Sequence, residues 1–184
     1  MQEKIKLGIS TCLLGEKVRY DGGHKRDAYL VDILGQFVEW TPICPEFECG
    51  LTIPRESMRL VGTASDYRLV TGRSGIDHSG RMLTWAQERL DRLEQEKICG
   101  FIFKSKSPSS GMRDVKIYNH QGMPIAKGVG LFAQALMQRF PILPVEDEGR
   151  LIDAGLRENF IERIFVFHRW QKLVETGITR QKVV

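Results

Sequence analysis

The chain has 184 residues, 42% hydrophobic and 27% charged, which is long enough for one globular domain whose core needs no disulfide or metal for stability. A formal net charge of +4 permits an anionic partner without requiring one. Charges stand where a signal peptide would need an apolar core, and no apolar run reaches the length of a membrane span. We therefore expect a cytoplasmic protein with no membrane contact, in which the four cysteines stay reduced and indicate a metal site or catalysis before disulfides.

Predicted strands and helices alternate along the first half of the chain. Residues 5–11 (IKLGIST) are apolar and β-branched, which predicts a strand that ends at Cys12. Apolar residues at helical spacing predict a helix over 26–37, and VEWTPI (38–43) predicts a second strand that ends at Cys44. The short runs MRLVG and YRLVTG that follow are expected to pair as a hairpin.

The same alternation continues in the second half. An amphipathic helix is predicted over 80–97, followed by a buried strand at 98–105 and an edge strand at 115–119. The run GVGLFAQALMQRF predicts a further helix that Pro141 stops. Together these elements predict an α/β three-layer sandwich with a mainly parallel sheet.

Three of the predicted strands, near 5–11, 38–43 and 98–105, end at loops rich in cysteine or serine. In parallel α/β sheets, ligands bind outside the carboxyl ends of the strands. We therefore expect these three loops to meet at one site, although they lie far apart in the sequence.

The C-terminal segment LRENFIERIFVFHRWQKLVETG predicts a long helix with apolar residues around most of its circumference. So apolar a helix needs a cover, and we expect it to pack on this domain, on a second copy or on a further domain. The predicted organisation is an α/β domain over 1–150 and a helical tail over 151–184 that begins a linker to a second domain.

The four cysteines differ in their surroundings. Cys99 lies inside an apolar strand, where cysteine acts as a small hydrophobic residue. Cys12 and Cys44 each follow a strand, and Cys49 completes a C-x4-C spacing that is weakly diagnostic by itself. Zinc favours four N or S ligands, commonly from C-x2-C pairs, which the chain lacks. Three thiolates without a fourth instead suit a site with one open coordination position, such as a cluster iron free to bind substrate.

Three polar segments are candidates for substrate binding. YDGGHK (20–25) combines a phenol, a carboxylate, an imidazole and an amine, although a tight turn with a solvated histidine explains the same pattern. KSKSPSSGMRD (104–114) and RESMR (55–59) carry amides and cations that suit an anion. A helix cap, a turn or an ordinary basic surface are the alternatives for these two.

Three stretches, GISTCLLGEKVRYDGGHK, CPEFECGLTIPRESMRL and KSPSSGMRDVKIYN, resemble in this order the bacterial thiouracil desulfidase family. The resemblance covers residues 4–150. The tail GRLIDAGLRENFIERIFVFHRW resembles the junction of longer members, in which a second domain follows and some of which remove sulfur from 4-thiouridine in tRNA. The resemblance implies that this chain is an isolated first domain, or a shortened form, of such a protein.

The resemblance implies a [4Fe-4S] cluster held by three cysteines, with one iron that binds the thiocarbonyl sulfur so that water replaces sulfur without net redox. Cys12 and Cys44 match two of the ligands, Glu46 matches the proton-carrying carboxylate, and Ser107 matches the assisting serine. Cations in the same loops would attract a nucleotide phosphate or a tRNA backbone, a solvated basic rim being the alternative. The predicted substrate-binding residues are Tyr20, Asp21, His24, Arg55, Lys106, Ser109 and Arg113, and Lys104 adds to the positive charge.

One position departs from the family pattern, because Ser110 stands where many members have the third cysteine. A serine oxygen is a poor substitute for a thiolate on iron. Either Cys49 supplies the missing thiolate, or Ser110 is an engineered or natural loss, or the protein holds no cluster. We favour Cys49, because this chain gains a cysteine there and loses one at 110.

The sequence thus predicts a cluster-dependent enzyme that removes sulfur from a thiolated pyrimidine, either free as base or nucleoside or within tRNA. Two alternatives stay open. A non-catalytic RNA-binding or sensory module would hold a structural cluster or thiol site. A thiol enzyme would use Cys12 or Cys44 as nucleophile and His24 as base.

Overall fold

The computed structural model describes residues 4–176, in which two four-stranded sheets are found. The strands of sheet A, numbered in chain order, are β1 (Ile5–Ser10), β2 (Val38–Ile43), β5 (Phe101–Phe103) and β8 (Val145–Asp147). They run parallel in the spatial order β2-β1-β5-β8. The three strands whose loops were expected to meet are therefore neighbours, with their carboxyl ends at one edge.

Sheet B is mixed, and its buried residues share an apolar cluster with residues of sheet A. Its strands are β3 (Met58–Gly62), β4 (Tyr67–Thr71), β6 (Val115–Tyr118) and β7 (Pro124–Gly128). The spatial order is β4-β3-β6-β7, with antiparallel pairs at both ends and the parallel pair of β3 and β6 in the centre. The predicted hairpin of β3 and β4 is confirmed.

The helices are α1 (Pro45–Glu48), α2 (Ser79–Glu96), α3 (Leu131–Arg139) and α4 (Ala154–Glu175). Helices α2, α3 and α4 cover the two faces of sheet A. On one face, Phe101 belongs to the apolar cluster of α2 and α3, and its ring lies 5.8 Å from that of Phe132. On the other face, Phe160 and Ile164 of α4 join the cluster that contains Ile102. The predicted three-layer α/β sandwich is confirmed.

Two predicted elements differ in the structure. Residues 26–37 form π and 3₁₀ turns, Tyr29–Ile33 and Leu34–Gln36, in place of an α-helix. Only Leu30 and Leu34 are buried there. Two buried side chains provide too little apolar contact to offset the unfavourable free energy of nucleating a short α-helix. The strand predicted at 115–119 is β6, which lies inside sheet B and not at its edge, because β7 pairs with it.

The predicted C-terminal helix is confirmed as α4, whereas residues 177–184 of the predicted tail lie outside the described residues. Asp153 caps its first turn, where its side chain accepts a hydrogen bond from the Leu156 N–H at 2.9 Å. Val166 and Trp170 remain 65% and 47% exposed, so within residues 4–176 the apolar cover of this helix is partial. In this part of the chain no helix combines the length and apolarity needed to cross a bilayer. The domain boundary near residue 150 stays a prediction.

Candidate active site

The carboxyl ends of β1, β2 and β5 enclose a cavity of about 430 Å³. It is lined by the residues that follow these strands, together with a segment from 18 to 25 and the start of β3. Parallel pairing sets this arrangement, because Ser10 lies opposite Ile43 and Gly8 opposite Phe101. The sequence expectation that three distant loops meet at one site therefore agrees with the structure.

Two thiols lie in the cavity wall. Cys12 sits in the 3₁₀ turn after β1 and is 9% exposed, while Cys44 follows β2 directly as the N-cap of α1. The Cys12 carbonyl accepts a hydrogen bond from Lys25 N at 2.9 Å, and Cys44 Sγ lies 3.8 Å from the Val18 carbonyl oxygen. The loop over residues 18–25 is thereby tied to both cysteines.

Burial makes these thiols weak acids. Desolvation raises the pKa of Cys12, partly offset by the Lys104 cation, and raises the pKa of Cys44 to about 11. Both side chains are therefore neutral thiols at pH 7 in the metal-free protein. Such thiols are poor nucleophiles, and a metal ligand must first lose its proton.

Alkylation of the metal-free protein tests this environment. With a pKa of about 11 in place of 9.0, Cys44 holds about 100-fold less thiolate at pH 7 than an ordinary thiol. We expect its iodoacetamide modification, followed by peptide mass spectrometry, to be slow at pH 7 and to rise about tenfold per pH unit up to pH 10. A modification rate at pH 7 equal to that of the urea-unfolded protein would contradict the raised pKa of Cys44.

Glu46 is the acidic residue of the cavity wall, and both oxygens of its carboxylate accept hydrogen bonds. Arg55 Nε donates to Glu46 Oε2 at 2.9 Å, and Arg55 Nη2 donates to the same oxygen. Ser109 Oγ donates to Glu46 Oε1 at 2.9 Å. The side chains of Arg55 and Glu46 are only 7% and 14% exposed, so the charge of Glu46 is held in one place with little water.

A serine loop after β5 forms the part of the wall that contacts Glu46. Ser107 Oγ lies 3.1 Å from Ser109 Oγ, and the Ser110 N–H donates to Ser107 Oγ at 3.1 Å. The Ser109 carbonyl accepts from Phe132 N at 2.9 Å, which ties this loop to the first turn of α3. Ser107, Ser109 and Glu46 thus form a hydrogen-bonded chain along the cavity.

The structure does not bring Cys49 into this cavity. Its Sγ donates to the Glu46 carbonyl at 3.3 Å, and the residue packs against the apolar cluster of α2 and α3. Ser110, by contrast, is a lining residue and only 4% exposed. Across residues 4–176, no group of three or more His, Cys, Asp or Glu side chains is arranged to hold a metal ion.

Cys99 lies apart, as the sequence predicts. It is 1% exposed in the cluster beneath α4, where its Sγ is 3.4 Å from His168 Nδ1 and 3.1 Å from Gln171 Oε1.

The predicted substrate-binding residues divide into two groups. Tyr20, Arg55, Lys106 and Ser109 line the cavity. The other three are absent from its lining, namely Asp21, His24 and Arg113.

The three outlying residues have structural partners. Asp21 accepts from Gly23 N at 3.0 Å, which lowers its pKa, and His24 Nδ1 accepts from Arg26 N at 3.1 Å. This is the tight turn that was the alternative interpretation of YDGGHK. Arg113 pairs with Glu146 at 2.5 Å and Asp147 at 3.2 Å. His24 is thus not placed at the cavity wall to act as a base for either thiol.

Sequence reasoning missed several lining residues. Ser10 and Thr11 end β1 immediately before Cys12, and the strand-end rule that selected Cys12 applies equally to them. Arg19 precedes the YDGGHK segment and adds a cation to the cavity wall, next to Lys25, the amine of that candidate segment. No local signal distinguishes Arg19 from an ordinary surface residue, because only the tertiary fold turns it toward the cavity.

Comparisons with known proteins agree with this geometry. A family model described as 2-thiouracil desulfurase matches residues 7–148. A solved structure, that of TudS, a [4Fe-4S]-dependent thiouracil desulfidase, matches with a TM-score of 0.65 and 32% sequence identity. That match covers 85% of this chain and 99% of the other. No curated protein matches the sequence. The family match spans most of the chain and all three loops of the cavity, so this protein belongs to the 2-thiouracil desulfurase family.

Proposed function

We propose that this protein removes sulfur from a thiouracil-type base by hydrolysis, with the help of a [4Fe-4S] cluster. The observation that carries the proposal is the convergence of Cys12, Cys44 and the clamped Glu46 on one cavity. Overall, a thiocarbonyl and water give a carbonyl and hydrogen sulfide, so a C–S bond is exchanged for a C–O bond without net redox. Membership of the desulfurase family supports this reaction class.

The donor set suits iron at two positions. Cys12 and Cys44 offer soft sulfur ligands inside one partly buried cavity, which is what a cluster requires. The third ligand is a choice between two residues. Cys49 is our proposed thiolate, and it would have to leave the carbonyl of Glu46 to turn toward the cavity. Ser110 already lies at the wall but offers oxygen.

The cluster, when bound, supplies a Lewis-acidic iron with affinity for sulfur. The residues of the chain do the proton chemistry and positioning. Glu46 is the group that can accept a proton from the attacking water, because its carboxylate is the acidic side chain of the cavity wall. Ser109 already donates to it, and Ser107 contacts Ser109, so a proton can pass along this chain to the departing sulfur.

Arg55 keeps Glu46 in place during this transfer. The guanidinium holds Glu46 Oε2 through two N–H groups and also donates to the Val18 carbonyl at 3.1 Å. One carboxylate oxygen is thereby fixed, and the other stays toward the serine loop. A base fixed in this way reacts without reorganising its surroundings.

Within the class of thiouracil-type bases, the specific substrate that we propose is the base of a 4-thiouridine nucleotide, free or within tRNA. Support comes from the charge of the cavity wall, which four cations besides Arg55 and one carboxylate, that of Glu46, line. Of these cations, Arg19 and Lys104 are already paired with Asp21 and Glu148, so the positive charge available to a substrate comes mainly from Lys25 and Lys106. We also propose that the exposed apolar side of α4 packs on a second copy or a second domain, and that the protein works in the cytoplasm.

Anaerobic reconstitution tests the proposed function. We expect a brown protein with an iron-to-sulfide ratio of about one and turnover of 2-thiouracil or 4-thiouridine to the oxo base, with one hydrogen sulfide released per product. Apoprotein kept without iron serves as the control. Retention of the thiolated nucleoside without sulfide release would support the alternative, a non-catalytic RNA-binding or sensory module. Sulfide release by iron-free protein would support a thiol enzyme.

A further inference from the structure

An acidic triplet, Glu146, Asp147 and Glu148, stands at the carboxyl end of β8. Strand β8 pairs in parallel with β5, so that Asp147 lies opposite Phe103, the last residue of β5. The serine loop, residues 104–114, leaves β5 at the same edge of sheet A. The acidic triplet and the two limbs of this loop are therefore neighbours, although the proposed hydrolysis uses none of the three carboxylates.

Glu148 holds the first limb of the serine loop. Its carboxylate accepts hydrogen bonds from the backbone N–H and from the hydroxyl of Ser105, each at 2.7 Å, and it pairs with the Lys104 ammonium. Lys104 Nζ also donates to the Ser105 carbonyl at 3.2 Å. The side chains of Lys104 and Glu148 are only 18% and 15% exposed, so little water competes for these contacts.

Glu146 and Asp147 hold the second limb through one arginine. Arg113 Nη2 donates to Glu146 Oε1 at 2.5 Å, and Arg113 Nε donates to Asp147 Oδ2 at 3.2 Å. Both acidic residues are buried, so each carboxylate needs a cation or a hydrogen-bond donor beside it. The serine loop supplies that cation, because a planar guanidinium can bind two carboxylates at once.

The backbone of the serine loop is strained at two points. Among residues 4–176, three non-glycine residues have a positive φ, and two of them are Lys106 at 59° and Asp114 at 53°. Such a conformation is rare and persists only where the surrounding structure enforces it. Between the two bends lies Ser109, whose hydroxyl donates to Glu46 Oε1 at 2.9 Å. The held segment is thus the one that presents a hydroxyl to the proposed base.

We propose that the acidic triplet positions the serine loop for desulfuration, and that Arg113 is a positioning residue and not a substrate contact. The inference rests on the proposed function, which it deepens by assigning what keeps Ser109 within hydrogen-bond reach of Glu46. Arg113 does not line the cavity, and two buried carboxylates already neutralise its charge. A contact with substrate would require Arg113 to leave at least one of these partners.

Arg113→Gln tests the inference through turnover and through the order of the loop. With rates expressed per bound cluster, we expect kcat to fall about 10- to 100-fold and KM to change less than about threefold, because the proton-carrying groups are displaced while the binding wall stays. Hydrogen exchange followed by mass spectrometry should be faster in the peptide 104–114, where the Gly111 N–H donates to the Ser107 carbonyl at 2.7 Å.

Asp147→Asn keeps the test valid if Arg113→Gln impairs folding by leaving buried carboxylates without their arginine. Asparagine retains the acceptor for the Arg150 N–H, which donates to Asp147 Oδ1 at 3.0 Å, and loses only the charge that faces Arg113. The expected changes have the same direction and are smaller. Because Arg113 and Asp147 act through one contact, the double variant should lower kcat no further than Arg113→Gln does.

Arg150→Gln is the matched control. Arg150 Nε lies 3.1 Å from the same Glu146 Oε1, but the residue belongs to the turn after β8 and not to the serine loop. Its replacement should lower the melting temperature without changing kcat per cluster. Exchange in the peptide 104–114 should also stay as in the unaltered protein.

Three results would overturn the inference. The first is a higher KM with unchanged kcat in Arg113→Gln, which would make Arg113 a substrate contact. The second is an equal loss of kcat in Arg150→Gln, which would reduce the acidic triplet to a stabilising ion network. The third is an unchanged kcat in both Arg113→Gln and Asp147→Asn. Faster loop exchange in these variants, with no sulfide release by the unaltered protein, would count against the proposed function alone.

Discussion

Cys44→Ser and Cys12→Ser are each expected to lose most of the bound iron and to lower desulfuration at least 100-fold. Both thiols lie in the cavity wall, and a hard hydroxyl cannot replace a soft thiolate without weakening the cluster. Iron and acid-labile sulfide content after anaerobic reconstitution, together with absorbance near 400 nm, give a readout that does not depend on turnover. Circular dichroism would check that the variants fold.

Matched variants locate the third ligand and provide the control. Cys49→Ser is expected to reduce iron content if Cys49 turns into the cavity, whereas Ser110→Ala has this effect if Ser110 is the ligand. Cys99→Ala should retain full iron, because Cys99 precedes β5 at the amino ends of the strands and does not line the cavity. Full iron and sulfide in Cys12→Ser or Cys44→Ser would refute the placement of the cluster.

Glu46→Gln is expected to lower the turnover number by about 10² to 10⁴ while iron content stays near that of the unaltered protein. The amide keeps the shape and the hydrogen bond from Ser109 but cannot accept a proton as a base. It also leaves Arg55 facing a neutral partner at 7% exposure, so we expect a loss of about 3 kcal/mol in the free energy of unfolding. Single-turnover rates with loaded protein, and urea melts, measure the two effects.

Glu48→Gln is the control for Glu46→Gln. Glu48 belongs to the same short helix α1, but its Oε1 accepts from Cys44 N at 2.8 Å and its side chain does not line the cavity. Glutamine preserves that acceptor, so turnover should change less than about threefold, as expected for a residue outside the proton path. Equal losses in the two variants would indicate that α1 as a whole was disturbed and that Glu46 has no separate role.

Some of the site could be predicted because strand ends are local features. The apolar runs before Cys12 and Cys44 mark strands, and parallel strands deliver their following residues to one edge. Glu46 and Ser107 came from motif resemblance and are now found in one cavity. Short or polar elements escaped prediction, as with β7, whose sequence PIAKG begins with proline and is mostly exposed.

Side-chain direction within a turn could not be predicted. Cys44 and Cys49 are five positions apart, and sequence gives no reason to separate them. The helical turn of α1 sends Cys49 toward the cluster of α2 and α3, while the N-cap position keeps Cys44 at the cavity. The direction of the His24 ring was likewise not predictable, because it is set by the hydrogen bond that His24 Nδ1 accepts from the backbone N–H of Arg26.

The sequence by itself determined the three-layer α/β class, the cysteine-bearing strand ends and the family, because periodicity and motifs are properties of consecutive residues. Only the tertiary structure decided which charges pair. Arg113 and Asp147 are 34 positions apart in the sequence and become partners because β8 pairs in parallel with β5, from which the serine loop departs. It also decided that Ser110, and not Cys49, lies in the cavity wall, because that depends on how the loops fold against α2 and α3.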